Sequence, residues 1–217
     1  PSQVAKVFAK EGITFFFAPV FHPAMRHVAP ARKELGVPTT FNFLGPLANP
    51  AQPIATALGV ADAEIAPLMA AELAARGRTA IVFRSNDGLD ELSTTSDNAI
   101  WQVSKGAIEA FTFDAREIGI ERVSVEQLLG GDARHNAQIA KKLFSGEEFQ
   151  NSKAISDIVC LNAAVGITAY DLAKDSKESE TEINQRLSVA FAKAQTALTS
   201  GAALAKIKHW SLLTQTI

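Results

Sequence analysis

The sequence predicts an α/β fold, a parallel or mixed sheet flanked by helices, and three observations carry that expectation. Two apolar runs, IATALGV at 54–60 and TAIVF at 79–83, flank a helical stripe. Strand–helix–strand over about 30 residues is the pattern of a parallel βαβ unit. A second strand pair follows at 99–103 and 107–113, joined as a hairpin at Ser104-Lys105-Gly106. The C-terminal half is mostly helical by its apolar period.

In chain order, residues 3–11 read as a short helix with Val4, Val7 and Phe8 on one face and Gly12 as its stop. ITFFF at 13–17 reads equally as a strand or a buried connector. Ala24–Leu35 is expected to be helical, with Pro30 bending it or opening a second set of turns, and Gly36 ends it. Asp62 is a good N-cap for a helix whose stripe is Ile65, Leu68, Met69 and Leu73, with Gly77 as its stop. TAIVF has no polar alternation and reads as a strand buried on both faces. Ser124 and Gln127 form a capping-box pattern ahead of Gly130-Gly131, and Asp132 caps a helix to about Phe144, stopped by Gly146. An apolar helix near 152–172, a polar connection at 174–182 and helices near 181–198 and 200–213 complete the chain.

Composition narrows the function classes. The 217 residues are 47% apolar and 20% charged, enough for a sizeable core in a soluble enzyme. A net charge of −2 supplies no field for phosphate backbones, which argues against nucleic-acid binding. The single cysteine, Cys160, forms no internal disulfide and fits a reducing cytoplasm. No run reads as a membrane span and the N-terminus has no signal pattern. The chain opens on Pro rather than Met, so a fragment or processed product is expected.

Two segments carry residues that core formation does not demand. His22–Pro50 packs His22, Met25, His27 and Arg32 into a dozen residues, then Asn42, Gly45, Pro46, Asn49 and Pro50 into a stiff loop. Such a loop beside a basic helix could cradle a small aromatic or anionic ligand. On spacing alone, the surface reading is favoured for Arg32 and the structural reading for His22. The second segment is NDGLDELST at 86–94, directly after TAIVF, where open α/β sheets place their ligands. Asp87, Asp90 and Glu91 lie within five residues there. They read either as a solvated acidic turn or as a seat for a cation. Gly130-Gly131-Asp132 is explained by a helix stop and a cap, Cys160 reads as an inert core thiol, and Trp101 and Trp210 as packing residues.

The chain resembles the anthranilate phosphoribosyltransferases. HPAMRHVAPARKELG (22–36) and FNFLGPLANP (41–50) are similar to that family's HPAM and FN-x-LGPL-x-NP signatures, and DGLDE (87–91) to its acidic motif. The resemblance implies a nucleoside-phosphorylase-like phosphoribosyltransferase fold: the remnant of a small helical domain at 1–38 and a larger α/β domain at 39–217. It implies that Arg32 binds the anthranilate carboxylate, that His22 and Met25 line its channel, and that Gly45 and Pro46 lie against its ring. It further implies that Asp90 and Glu91 hold Mg2+ on phosphoribosyl pyrophosphate. Many members of that family have His-Gly before the acidic motif, where this chain has Arg84-Ser85. No catalytic side chain is assigned, because the reaction neutralises a departing pyrophosphate and positions an amine without a nucleophilic residue.

The family's glycine-rich pyrophosphate loop and its K-x-G-N-R segment have no counterpart in these residues, so both are expected upstream of Pro1. A homodimer through the small helical domain is also implied. The rival readings are a pyrimidine nucleoside phosphorylase-like enzyme, a non-catalytic nucleic-acid-binding relative and an inactive folded piece.

Overall fold

A computed structural model describes residues 1–37, 39, 44, 45 and 47–217. The chain divides into two compact units, Pro1–Gln52 with Ala202–Ile217, and Pro53–Gly201.

In the first unit, helix α1 (Ser2–Glu11) buries Val7 and ends where Gly12, at φ 70°, donates its N–H to the Phe8 carbonyl at 2.8 Å. A left-handed residue at this position favours glycine, which has no Cβ to clash. Of the expected apolar face, Phe8 is 56% exposed. ITFFF forms neither strand nor buried connector: Phe15 and Phe17 are exposed, while Phe16 meets Phe21 edge-to-face at 4.8 Å. Short helix α2 (Ala18–Phe21) and a 3-10 turn at Pro23–His27 lead into α3 (Ala29–Leu35). Pro30 therefore opens α3 rather than bending a longer helix, since a proline in the first turn loses no intrahelical bond.

The expected division after residue 38 differs from this arrangement. The C-terminal helix, Ala202–Thr216, belongs with α1. Gln3 Nε2 donates to the Ile217 carbonyl at 2.7 Å, and Lys206 Nζ donates to the Glu11 carbonyl at 2.9 Å and pairs with its carboxylate at 3.2 Å. Local pattern carries no signal for contacts that far apart along the chain.

The second unit is a four-stranded mixed sheet in the order β1-β2-β3-β4. β1 (Ala55–Gly59) lies parallel to β2 (Thr79–Ser85), connected through α4 (Ile65–Ala75). β3 (Asn98–Ser104) and β4 (Ala107–Phe113) extend it antiparallel. The hairpin turn places Lys105 at φ 51° and Gly106 at φ 78°, the two left-handed residues that match the strand twist.

β2 is buried on both faces, as its sequence suggested. Ile81 and Phe83 enter the core shared with the helices α6 (Ser152–Lys174) and α7 (Ile183–Thr199), while Ala80 and Val82 point the other way by strand alternation. α4 is seated by Asp62, whose Oδ1 accepts from the N–H of Glu64 at 2.9 Å and of Ile65 at 3.2 Å. Its buried face is Ala66, Met69, Ala70, Leu73 and Ala74; the expected stripe residue Leu68 is 63% exposed.

Among the described residues one helix, α6, is long and apolar enough to cross a membrane. It is a core helix here: Cys160, Leu161, Ala164, Val165 and Leu172 are buried, and Lys153 pairs with the buried Asp157 at 2.7 Å. Burial pushes the Cys160 thiol up, in keeping with an inert core residue.

Candidate functional site

The sequence-predicted residues fall in both units. In the first unit, His22, Met25, Val28 and Arg32 are half-buried, whereas Arg26, His27 and Lys33 are exposed. The spacing 25, 28, 32 puts the half-buried residues on one side of the turn-and-helix segment. Arg32 sits in the last turn of α3, where the cation also complements the helix C-terminus. His27 stays at the surface, with Arg26 Nε donating to its Nε2 at 3.4 Å. Gly45 is half-buried in a helical turn, and Pro46 and Asn42 lie outside the described residues.

The acidic loop belongs to the second unit and leaves the carboxyl end of β2. Asp87 is its anchor. Ser85 and Thr95 donate hydroxyls to its carboxylate, and the Ser93 hydroxyl adds a third bond at 3.3 Å. Burial opposes ionisation, yet these hydroxyls and the Leu89 N–H hold the Asp87 carboxyl below its usual range. Ser85 takes part twice, since its oxygen also accepts the Leu89 N–H at 2.9 Å. Ser85 therefore braces the loop.

This network has a pH signature. A depressed carboxylate contributes stability that is present above its unfolded value of 3.8 and is lost as pH falls through the lower folded value. Asp87→Asn is expected to lower stability at neutral pH and to flatten the acid side of the stability profile below about pH 4, measured by urea unfolding across pH. An unchanged acid limb would show that Asp87 does not carry it.

Asp90 and Glu91 behave differently. Both are exposed, and among the described residues no cation is paired with either and no third His, Cys, Asp or Glu joins them. Two free hard-oxygen donors fit magnesium, which takes one or two carboxylates and completes its shell with substrate oxygens and water. Beside them opens an apolar cleft of about 590 Å³, walled by Ile139, Leu143 and Phe144 of α5 (Ala133–Ser145) and by Ile155, Ile158 and Val159 of α6.

The backbone around the two acids is held by residues that the motif reading missed. Asn162 of α6 accepts the Leu92 N–H at 2.9 Å and donates to the Leu92 carbonyl at 2.8 Å. Asn98 clamps Ser93 in the same two-bonded way, at 2.7 and 3.0 Å. Gly59 lies under the loop, where an added Cβ would overlap the Asp90 carbonyl. Gly130 and Gly131 also prove to be close-approach glycines. A Cβ there would crowd Asn136 and His135, and Asn136 bonds the Gly131 backbone at 2.8 and 3.1 Å. The expected Asp132 cap is present, accepting the His135 N–H at 2.8 Å.

Comparison with known proteins places this geometry in a context. The family model described as "Glycosyl transferase family, a/b domain" matches residues 1–204. The chain is 44% identical to the anthranilate phosphoribosyltransferase of Leifsonia xyli subsp. xyli (strain CTCB07), covering 99% of this chain and 60% of that protein. It is likewise 44% identical to the one from Arthrobacter sp. (strain FB24), covering 98% and 58%. Among solved structures, that of Thermus thermophilus anthranilate phosphoribosyltransferase matches with a TM-score of 0.82 at 36% identity, covering 98% of this chain and 59% of that one. The Saccharomyces cerevisiae enzyme in complex with PRPP and Mg matches with a TM-score of 0.85 at 28% identity, covering 100% and 58%. The chain thus spans about three fifths of the length of the curated relatives it matches.

Proposed function

The chain belongs to the glycosyl transferase family, a/b domain, and from that premise we propose that it serves the transfer of a phosphoribosyl group from phosphoribosyl pyrophosphate to the amine of anthranilate. The products are N-(5′-phosphoribosyl)anthranilate and pyrophosphate, a step of tryptophan biosynthesis. The observation that carries the reading is the exposed Asp90-Glu91 pair, without an ion-pair partner among the described residues, on a braced loop at the end of a parallel strand. A nucleoside phosphorylase-like reaction has no use for such a metal pair.

In this reading Asp90 and Glu91 would hold Mg2+, whose chemical contribution is to neutralise charge on the leaving pyrophosphate. Arg32 offers its planar fork to the anthranilate carboxylate, with His22, Met25, Gly45 and Pro46 forming the walls around the ring. The half-buried placement of His22, Met25 and Arg32 in one short segment of the first unit supports this. The chain's own residues then orient the two substrates while the amine attacks the ribose carbon and the pyrophosphate leaves. Exposed Phe8, Ile13, Phe15, Phe17 and Val20 in the first unit support a homodimer through that unit. A cytoplasmic setting agrees with the single buried thiol.

The reading is tested by following loss of anthranilate fluorescence with phosphoribosyl pyrophosphate and Mg2+. The assay uses this chain alone and a version extended upstream of Pro1 by a relative's corresponding segment. Turnover is expected in the extended protein, and the chain alone shows how much of it these 217 residues support. No turnover in either sinks the proposal. In the extended protein, Arg32→Ala should raise the KM for anthranilate roughly 10- to 100-fold, the loss of one charge-assisted pair. The KM for phosphoribosyl pyrophosphate should stay nearly constant. An equal effect on both would make Arg32 a structural residue.

A further inference from the structure

We infer that Asn162 is the positioning residue of the acidic pair: it fixes the backbone that presents Asp90 and Glu91, and with it their affinity for a divalent cation. The inference rests on the metal reading of those two acids and adds the residue that sets their geometry.

Neither acid side chain is held by an ion pair among the described residues, so the positions of their oxygens follow from the main chain that carries them. That main chain is gripped immediately after Glu91. Leu92 is fully buried, and both polar groups of its backbone are matched by the amide of Asn162, at 2.9 and 2.8 Å. A primary amide facing a peptide N–H and C=O satisfies both at once, as a neighbouring strand would. The amide is aimed in turn by its own helix, because Nδ2 also donates to the Ile158 carbonyl at 3.0 Å. On the other side of the pair, the Asp90 carbonyl rests on Gly59, where a side chain would not fit. The two acids are therefore bracketed, one peptide seated on a strand end and the next residue clamped to a helix 70 positions away.

Among the described residues no other side chain is bonded to the Leu92 backbone in this way. Asn98 grips Ser93 and Asp87 gathers the hydroxyls of Ser85, Ser93 and Thr95, so the outer parts of the loop have their own supports. Asn162 serves the residue that abuts the acids. Groups that orient metal ligands without touching the metal typically contribute roughly 10- to 100-fold in affinity.

The test uses the 217-residue chain with Mn2+ alone as the probe, bound metal being read from water-proton relaxation and the Leu92 amide from hydrogen exchange. Asn162→Ala is expected to weaken Mn2+ binding about tenfold or more and to lose protection at Leu92, while amides of β2 and β3 remain protected. Asn162→Asp keeps one acceptor for the Leu92 N–H and is expected to fall between the two, which also covers the case in which the alanine variant does not fold. Unchanged Mn2+ affinity in both variants overturns the inference. Asp90→Asn with Glu91→Gln serves as the control. If wild-type binding is insensitive to it, the metal reading fails by itself and the Leu92 exchange decides the inference: loss of protection upholds the positioning role, and retained protection overturns it.

Discussion

Changing Asp90 to Asn and Glu91 to Gln together is expected to lower the Mg2+-dependent rate of anthranilate consumption in the extended protein by about 10³-fold. The estimate follows from the work the pair would do. Pyrophosphate leaves with several negative charges, and a cation held against it stabilises that charge by several kcal/mol in the transition state. The amide variants keep the size of both side chains and remove only the anionic oxygens. Fold stability should change by less than about 0.5 kcal/mol, because the two acids are exposed and have no ion pairs to lose among the described residues. The KM for anthranilate should also hold, since in the proposed reading Arg32 and its neighbours, not the two acids, meet that substrate. A rate within about tenfold of the unsubstituted protein at saturating Mg2+ would move the metal to other ligands.

The parts of this protein that could be read from sequence are those whose cause is local. Lys105-Gly106 dictated a two-residue turn, Asp62 a helix start, and the unbroken TAIVF a strand covered on both faces. The acidic motif was legible for the same reason, because five consecutive residues contain it. What escaped were contacts with partners that no local pattern names. Leu68 looks like a core residue by helical spacing, but α4 turns its small residues Ala66, Ala70 and Ala74 to the sheet instead. ITFFF has strand composition, yet a strand requires a neighbour that its own sequence does not specify. The C-terminal helix pairs with α1 across almost the whole chain. Asn162 sits within an apolar helix, where nothing adjacent distinguishes an amide that clamps a loop from one that faces water. The acids proposed as ligands can be read from the motif itself, and the residues that brace their loop cannot.

Gly59→Val is expected to lower the free energy of unfolding by about 3 kcal/mol and, on the metal reading of Asp90 and Glu91, to weaken divalent-cation binding with it. Sequence reasoning gives the opposite sign. Gly59 ends β1 and pairs with Phe83, and valine is a far better strand residue than glycine. Steric space decides against propensity here, because the Cβ of any other residue would overlap the Asp90 carbonyl, a backbone atom with no rotamer to escape into. Either the loop lifts and strains the two Asn162–Leu92 bonds, or β1 shifts and loses its register with β2. Both routes displace Asp90, so stability and metal affinity should fall together. Urea unfolding and Mn2+ titration of the same variant measure the two losses. Gly59→Ala sharpens the test. If bulk in the strand were the cause, alanine would be mild, but the overlap begins at Cβ, so alanine should cost nearly as much as valine. A stable alanine variant with undiminished Mn2+ binding would show that the loop does not rest on the strand end.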